Sequence, residues 1–187
     1  MKSAGCNGIK MGIESGSNRV LKSIMKKGIT VKQIKYAARL MRTNGIHWTG
    51  YFMMGLPTET KDDMLKTLAL MRQIKPDFAS LSVYEPFPGT QLYDQGLAMG
   101  YVAETRVLDD YYTISPKYLY MKDPHNRIDT MSDEEFRQIE QLMKDSFHKY
   151  NRGVTRILKR AHARSALYLR EPKALLGDFK KFLTWVK

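Results

Sequence analysis

Three short apolar runs, each closed by glycine or proline, alternate with amphipathic stretches over the first 97 residues. Gly8, Ile9, Lys10, Met11, Gly12 and Ile13 read as a first strand ended by Glu14, Ser15, Gly16 and Ser17, because a short apolar run bounded by turn residues fits a strand. From Asn18 to Met25, Val20, Leu21, Ile24 and Met25 recur at helical spacing, and Gly28 supplies a stop. Thr30 and Gln33 form a capping box that opens a helix facing Val31, Ile34, Ala37, Ala38 and Met41, terminated at Asn44 and Gly45. Ile46 to Met54 reads as a buried second strand running into Gly55, Leu56 and Pro57. Thr60 with Asp63 caps a helix whose face is Met64, Leu65, Leu68, Met71 and Ile74, and Phe78 to Tyr84 is the third strand. Strands and helices in this alternation predict parallel strands joined by crossover helices.

Beyond Tyr93 the period is lost in a stretch dense in tyrosine (Tyr101, Tyr111, Tyr112, Tyr118, Tyr120), whose structure stays open. A further capping box, Ser132 with Glu135, opens a helix with Phe136, Ile139, Met143, Phe147 and Tyr150 on one side. Helices are expected at roughly 154–170 and 173–185, with Glu171 and Pro172 as the break. The chain therefore divides into an α/β part (1–97), an irregular connection (98–131) and a helical C-terminal region (132–187).

Charge sharpens that division. The first 100 residues carry 14 basic and 7 acidic groups, residues 101–150 carry 7 and 10, and residues 151–187 carry 10 and 2. Arg152, Arg156, Arg160 and Arg164 recur at i, i+4 on one helical face. That stripe is either a solvated face or a surface for phosphates. No apolar run reaches the roughly 20 residues of a membrane span, and no secretory signal pattern opens the chain, so a cytoplasmic protein is expected. Cys6 is the one cysteine, which excludes an intramolecular disulfide scaffold and an all-cysteine metal site within the chain.

In parallel α/β folds ligands gather at the carboxyl ends of strands, where loops and helix N-termini converge. The first strand end offers Glu14 and Ser15 among glycines, an acceptor carboxylate beside a hydroxyl that suits a vicinal diol, although Glu14 and Ser17 would equally serve as helix caps. The second end offers Gly50 to Glu59, with glycine backbone open to a flat ring and Met53 to pack on its face, or else an ordinary turn. The third, Tyr84 to Thr90, mixes aromatic, carboxylate and proline residues, and reads alternatively as a plain strand-to-helix turn.

Taken together and in order, AGC, GIESGSNRVLKSIMKKGIT, GYFMMGLPTET and SVYEPFPGTQLYD resemble the second half of a radical S-adenosylmethionine (radical SAM) enzyme core, over about residues 1–97. The pattern looks closest to the group in which a cobalamin-binding domain precedes the core, which includes methyltransferases and the anaerobic oxidative cyclase of chlorophyll synthesis. The resemblance implies a partial (β/α)6 barrel, of which the last three strands are present, followed by a helical C-terminal region. It implies that Glu14 and Ser15 meet the ribose and amino acid parts of S-adenosylmethionine, that Lys26 meets its carboxylate, and that Met53, Gly55 and the backbone from Tyr84 to Pro86 form the adenine slot. Tyr51 and Thr58 depart from the older glycine and glutamate consensus, with Glu59 one position on.

The same resemblance implies a [4Fe–4S] cluster, yet the family's C-x3-C-x2-C motif is absent and a single cysteine cannot hold three irons. The cluster ligands are therefore expected outside this chain, as is any cobalamin site. Asp123 to Ile128 imitates D-x-H-x-x-G with isoleucine in place of the glycine, and is not read as a cobalamin motif. The chain is expected to be the C-terminal part of a longer enzyme. Its implied partners are the N-terminal half of the barrel, a small-molecule substrate and an electron donor such as flavodoxin or ferredoxin. It is expected to be poorly stable alone, with apolar strand faces left uncovered. The competing reading is a basic, non-catalytic module that meets nucleic acid or an acidic surface through residues 152–164.

Overall fold

A computed structural model describes residues 1–85, 87, 89–98 and 130–186. The expectations for Pro86, the tyrosine-dense stretch and residues 123–128 lie outside them. Three parallel strands, β1 (Gly8–Glu14), β2 (His47–Met54) and β3 (Phe78–Val83), form a sheet in the order β1-β2-β3. β1 enters in register Gly8↔His47 to Gly12↔Tyr51, and β3 in register Thr49↔Phe78 to Met54↔Val83. The helices are α1 (Val31–Thr43), α2 (Lys61–Ile74), α3 (Gln91–Ala98), α4 (Asp133–Asn151), α5 (Val154–Ala163), α6 (Ser165–Arg170) and α7 (Pro172–Val186).

All three capping boxes form, at Thr30/Gln33, Thr60/Asp63 and Ser132/Glu135, each satisfying backbone donors that a helix N-terminus leaves unpaired. Two expectations are corrected locally. The segment after β1 is a π-helical turn, Val20–Ile24, closed by the Met25 N–H on the Val20 carbonyl at 2.9 Å. The expected helix at 154–170 breaks at Arg164, and Pro172 opens the last helix instead of separating two, since proline needs no N–H at a first helical position.

The second strand, expected to be buried, is buried on one face only. Trp48, Gly50, Phe52 and Met54 are inside, whereas Tyr51 is exposed and Thr49 and Met53 are half-buried. The covered face packs with Ile13, Ile34, Met41, Met64, Leu68 and Met71. α4 completes it, with Ile139, Met143 and Phe147 in the same core and the Phe147 ring edge-on to Phe52 at 5.2 Å. Gly50 makes room here, because a Cβ would lie 2.9 Å from the Phe52 ring.

Of the apolar strand faces expected to lie bare, the one carrying Trp48, Phe52 and Met54 is thus covered, while Tyr51 and Met53 lie on the open one. α4 is also stapled to the outer edge of β3. Asn151 accepts from the Ala79 N–H at 2.9 Å and donates to the Ala79 carbonyl at 2.7 Å, while the Tyr150 hydroxyl donates to the Pro76 carbonyl at 2.7 Å. A side-chain amide here does what a neighbouring strand would do for an edge residue. Among the described residues no helix is long and apolar enough to cross a membrane.

Candidate cofactor-binding site

The face of the sheet opposite the helices carries Lys10, Thr49 and Phe78 in one cross-strand row, then Gly12, Tyr51 and Ser80, then Met53 and Ser82. It is open: no residue of these rows is fully buried. At its carboxyl end the register of β1 shifts between Gly12 and Glu14, so that Ile13 is the extra residue of a bulge and turns into the core. Glu14 follows at φ 63°, closed by the Ser15 N–H on the Ile13 carbonyl at 2.9 Å. A non-glycine residue in that left-handed region costs on the order of 1–3 kcal/mol and persists where surrounding structure holds it.

What holds it is Lys27. Its ammonium lies 2.7 Å from Glu14 Oε1 and donates to the Gly12 carbonyl at 2.9 Å. Gly12 is required beneath this pair, since a Cβ there would sit 2.3 Å from Glu14 Oε1 and 2.9 Å from Lys27 Nζ. Glu14 and Gly12 therefore share the open face. With side chains 18% and 32% exposed, the carboxylate and ammonium stand at its rim, and Glu14 Oε2 has no protein partner among the described residues.

The other sequence-predicted residues separate. Ser15 is fully buried, with its hydroxyl 3.2 Å from Thr67 Oγ1 while accepting from the Ser17 N–H at 3.1 Å. It ties the strand end to α2. Gly16 locks the same joint, because a Cβ would meet the Lys66 carbonyl oxygen at 2.2 Å. Lys26 is exposed at φ 50°, and the ammonium beside Glu14 is that of Lys27, one position on. Met53 remains half-buried on the open face. Gly55 adopts φ 81° but is buried against Phe136, 3.2 Å from where its Cβ would be, and its N–H is used by Glu59. Tyr84 continues β3 through its N–H to the Met54 carbonyl at 2.7 Å.

Glu59 closes the β2 turn from within. Its Oε2 accepts from the Gly55 N–H at 2.7 Å and the Leu56 N–H at 3.1 Å, whereas Oε1 is buried without a partner among the described residues. Burial raises its carboxyl to about 7 despite those two bonds. Asp63 goes the other way: burial pushes upward, but hydrogen bonds from Arg19, Ser17 and Thr60 outweigh it and hold the carboxyl well below the usual range. Arg19 also donates to the Thr58 carbonyl at 2.7 Å, which clamps the loop after β1 to the loop after β2.

Sequence reasoning missed Lys27 and the hydroxyls of Thr49, Ser80 and Ser82. The alternation of serine in FASLSV was the available signal for an open strand face, and a strand read as uniformly buried concealed it.

The rim of the sheet fits an S-adenosylmethionine nucleoside by its chemistry: a free carboxylate oxygen for a diol, an ammonium beside it, and small or hydroxylated residues below. A [4Fe–4S] cluster does not fit this chain. Among the described residues no three His, Cys, Asp or Glu side chains converge as metal ligands, and Cys6 lies before the opposite, amino end of β1.

The chain was compared with known proteins. It is 29% identical over 178 residues to an uncharacterized methyltransferase of Pyrococcus horikoshii, a match over 95% of this chain and 32% of that protein. It is 39% identical over 88 residues to a putative methylthiotransferase of Methanocaldococcus jannaschii, covering 47% of this chain and 19% of the relative. To the anaerobic magnesium-protoporphyrin IX monomethyl ester cyclase of Rubrivivax gelatinosus it is 28% identical over 115 residues, 62% of this chain and 20% of the cyclase. The chain thus spans a third or less of these relatives. Residues 1–71, the segment that builds the Glu14–Lys27 rim, match the family model described as the Radical SAM superfamily, and the similarity extends to proteins named as methyltransferases and methylthiotransferases.

Proposed function

We propose that residues 1–97 are the C-terminal half of a radical SAM core, of the group with a preceding cobalamin-binding domain, and that this half supplies the nucleoside side of the cofactor site. The observation that carries the proposal is the strained Glu14 at the end of β1, with Oε2 uncommitted and Oε1 fixed by Lys27 over Gly12. In this reading Glu14 accepts from the ribose hydroxyls, and Lys27 orients Glu14 and meets the carboxylate of the methionine part. Met53 packs on the adenine, and backbone at Tyr84 and Glu85 borders the ring. Ser15 and Gly55 support the site from below through Thr67 and Glu59.

Bound there, S-adenosylmethionine is the source of a 5′-deoxyadenosyl radical for hydrogen abstraction, or of a methyl group for transfer. The chain's own residues bind, orient and shield; none of them is placed as a general acid, base or nucleophile. The cluster ligands and any cobalamin belong to sequence outside these 187 residues. The partners are that sequence, a small-molecule substrate facing the open sheet, and an electron donor such as flavodoxin or ferredoxin.

The test is titration of S-adenosylmethionine into the complete protein with its cluster reconstituted. Loss of a charged hydrogen bond costs on the order of 1.5–3 kcal/mol, so Glu14→Ala is expected to weaken binding roughly ten- to a hundredfold. Glu85→Ala is expected to leave the affinity unchanged. Equal affinity for wild type and Glu14→Ala removes the ribose role.

A further inference from the structure

At the other end of the strands lies a half-open cavity of about 700 Å³ among the starts of β2 and β3, the ends of α1 and α2, and α5. Its floor is apolar, with Met41, Ile46 and Trp48. Its walls are cationic: Arg42 closes α1, Lys75 closes α2, and Arg156 and Lys159 enter from α5, with His47 and His162 beside them. The one acidic residue of the lining, Asp77, is already engaged, accepting from the Trp48 N–H at 3.0 Å and lying 3.5 Å from His47 Nδ1 and 3.8 Å from Lys159 Nζ. Arg42 and Lys75 have no acidic partner among the described residues.

Two of these charges have an ordinary cause, because cations are favoured where helix carbonyls point outward, as at Arg42 and Lys75. That cause fails for α5. Arg156 stands in the first turn of its helix, where the dipole opposes a cation. Its guanidinium lies 3.6 Å over the Tyr150 ring, and its Nε is buried without a hydrogen-bond partner. The arginine stripe expected from sequence is otherwise dispersed. Arg160 is spent on the Asn151 carbonyl at 3.0 Å and the Phe78 ring, and Arg164 on Asp178 at 2.9 Å.

We propose that this cavity is a binding site for a multiply charged phosphate group, held by Arg42 and Lys75 at two helix ends and by Arg156 and Lys159 on the α5 wall. Four permanent cations around one occupied carboxylate exceed what a single carboxylate ligand neutralises, and guanidinium forks match phosphate oxygens. The volume is that of a small-molecule pocket, and the apolar floor accepts a base or another flat group attached to the phosphate. The site is independent of the nucleoside site, since His47 in its lining lies five residues along β2 from Phe52, the partner of Glu14, roughly 17 Å at about 3.3 Å per residue.

Calorimetric titration of the chain with inorganic pyrophosphate, AMP and a single-stranded ten-residue RNA tests the site. Saturable one-to-one binding of pyrophosphate is expected, weakened at least about tenfold in the double variant Arg42→Gln, Lys75→Gln. The exposed pair Lys32→Gln, Lys35→Gln removes the same charge elsewhere and is expected to stay within about twofold. Lys159→Gln is a second probe should the first variant prove unstable by thermal melt. RNA bound more than tenfold tighter than AMP supports a nucleic-acid source of the phosphate, and equal affinities support a free phosphorylated metabolite. No saturation by any of the three, or equal weakening by the control pair, overturns the proposal.

Discussion

The two faces of the sheet are built from the same three strands and treat side chains in opposite ways. Facing the helices, Trp48, Phe52 and Met54 meet Met64, Met71, Met143 and Phe147 in a closed apolar layer. Facing away, Lys10, Thr49, Tyr51, Ser80 and Ser82 leave polar groups and half-covered rings on an open surface. The strand ends repeat the division in their carboxylates. Glu59 is sealed under the β2 turn and serves the fold, whereas Glu14 is strained onto the rim with an oxygen to spare. Apolar packing is thus concentrated on one face and accessible polar groups on the other.

The sharpest way to break that contrast is a pair of truncations one residue apart. Phe52→Ala removes a ring that is 2% exposed and packed on Phe147, and is expected to cost about 3–5 kcal/mol. Tyr51→Ala, on the open face, is expected to cost below about 1 kcal/mol. Urea denaturation of both variants decides it, and comparable losses would mean that the second face is also packed.

The carboxylates give the next largest effect. Glu59 titrates near 7 in the folded chain and near 4.5 when unfolded, so between those values the folded state holds the extra proton. Its contribution to stability is complete below about pH 4.5 and lost as pH rises through about 7, on the order of 3 kcal/mol for a shift of that size. Asp63, held low, gives the opposite slope, with stability present above its unfolded value of 3.8 and lost further into acid. Glu59→Gln is expected to flatten the pH dependence of urea midpoints between pH 5 and pH 8 relative to wild type. An unchanged slope would overturn the assignment to Glu59.

The smallest effect isolates the rim from the fold. Gly12→Ala places a methyl against the flexible ends of Glu14 and Lys27, so the core is untouched while the pair must part. Thermal melts are expected to move little, and S-adenosylmethionine affinity in the complete, cluster-loaded protein is expected to drop about tenfold, worth about 1.4 kcal/mol. Normal affinity in this variant would show that the Glu14–Lys27 geometry is incidental to binding.

Much of the architecture was legible in short-range patterns. The three capping boxes, the parallel strands and the apolar stripes of α1, α2 and α4 each depend on residues a few positions apart, and they form as read except on α2, where Leu65 is exposed and Leu70 is buried in its stead. Of the site, Glu14 and Met53 were legible as residues at strand ends. The ammonium that pairs with Glu14 is that of Lys27, two residues beyond Met25, where the π-turn closes, whereas Lys26 is exposed. Ser15 and Gly55 were read as open because nothing nearby in sequence reveals that Thr67, Glu59 and Phe136 would occupy their polar groups and space.

The sequence by itself determined the order of the three strands, the starts of the three helices that carry capping boxes, the family pattern of residues 1–71 and the lack of a cysteine set for a cluster, because each resides in local spacing or in a count. Tertiary structure decided which face of the sheet is closed, which carboxylate is buried and which is offered, and that cations from three helices meet in one cavity. Those outcomes depend on contacts between residues far apart in the chain, and neither periodicity nor composition encodes which side chain arrives there first.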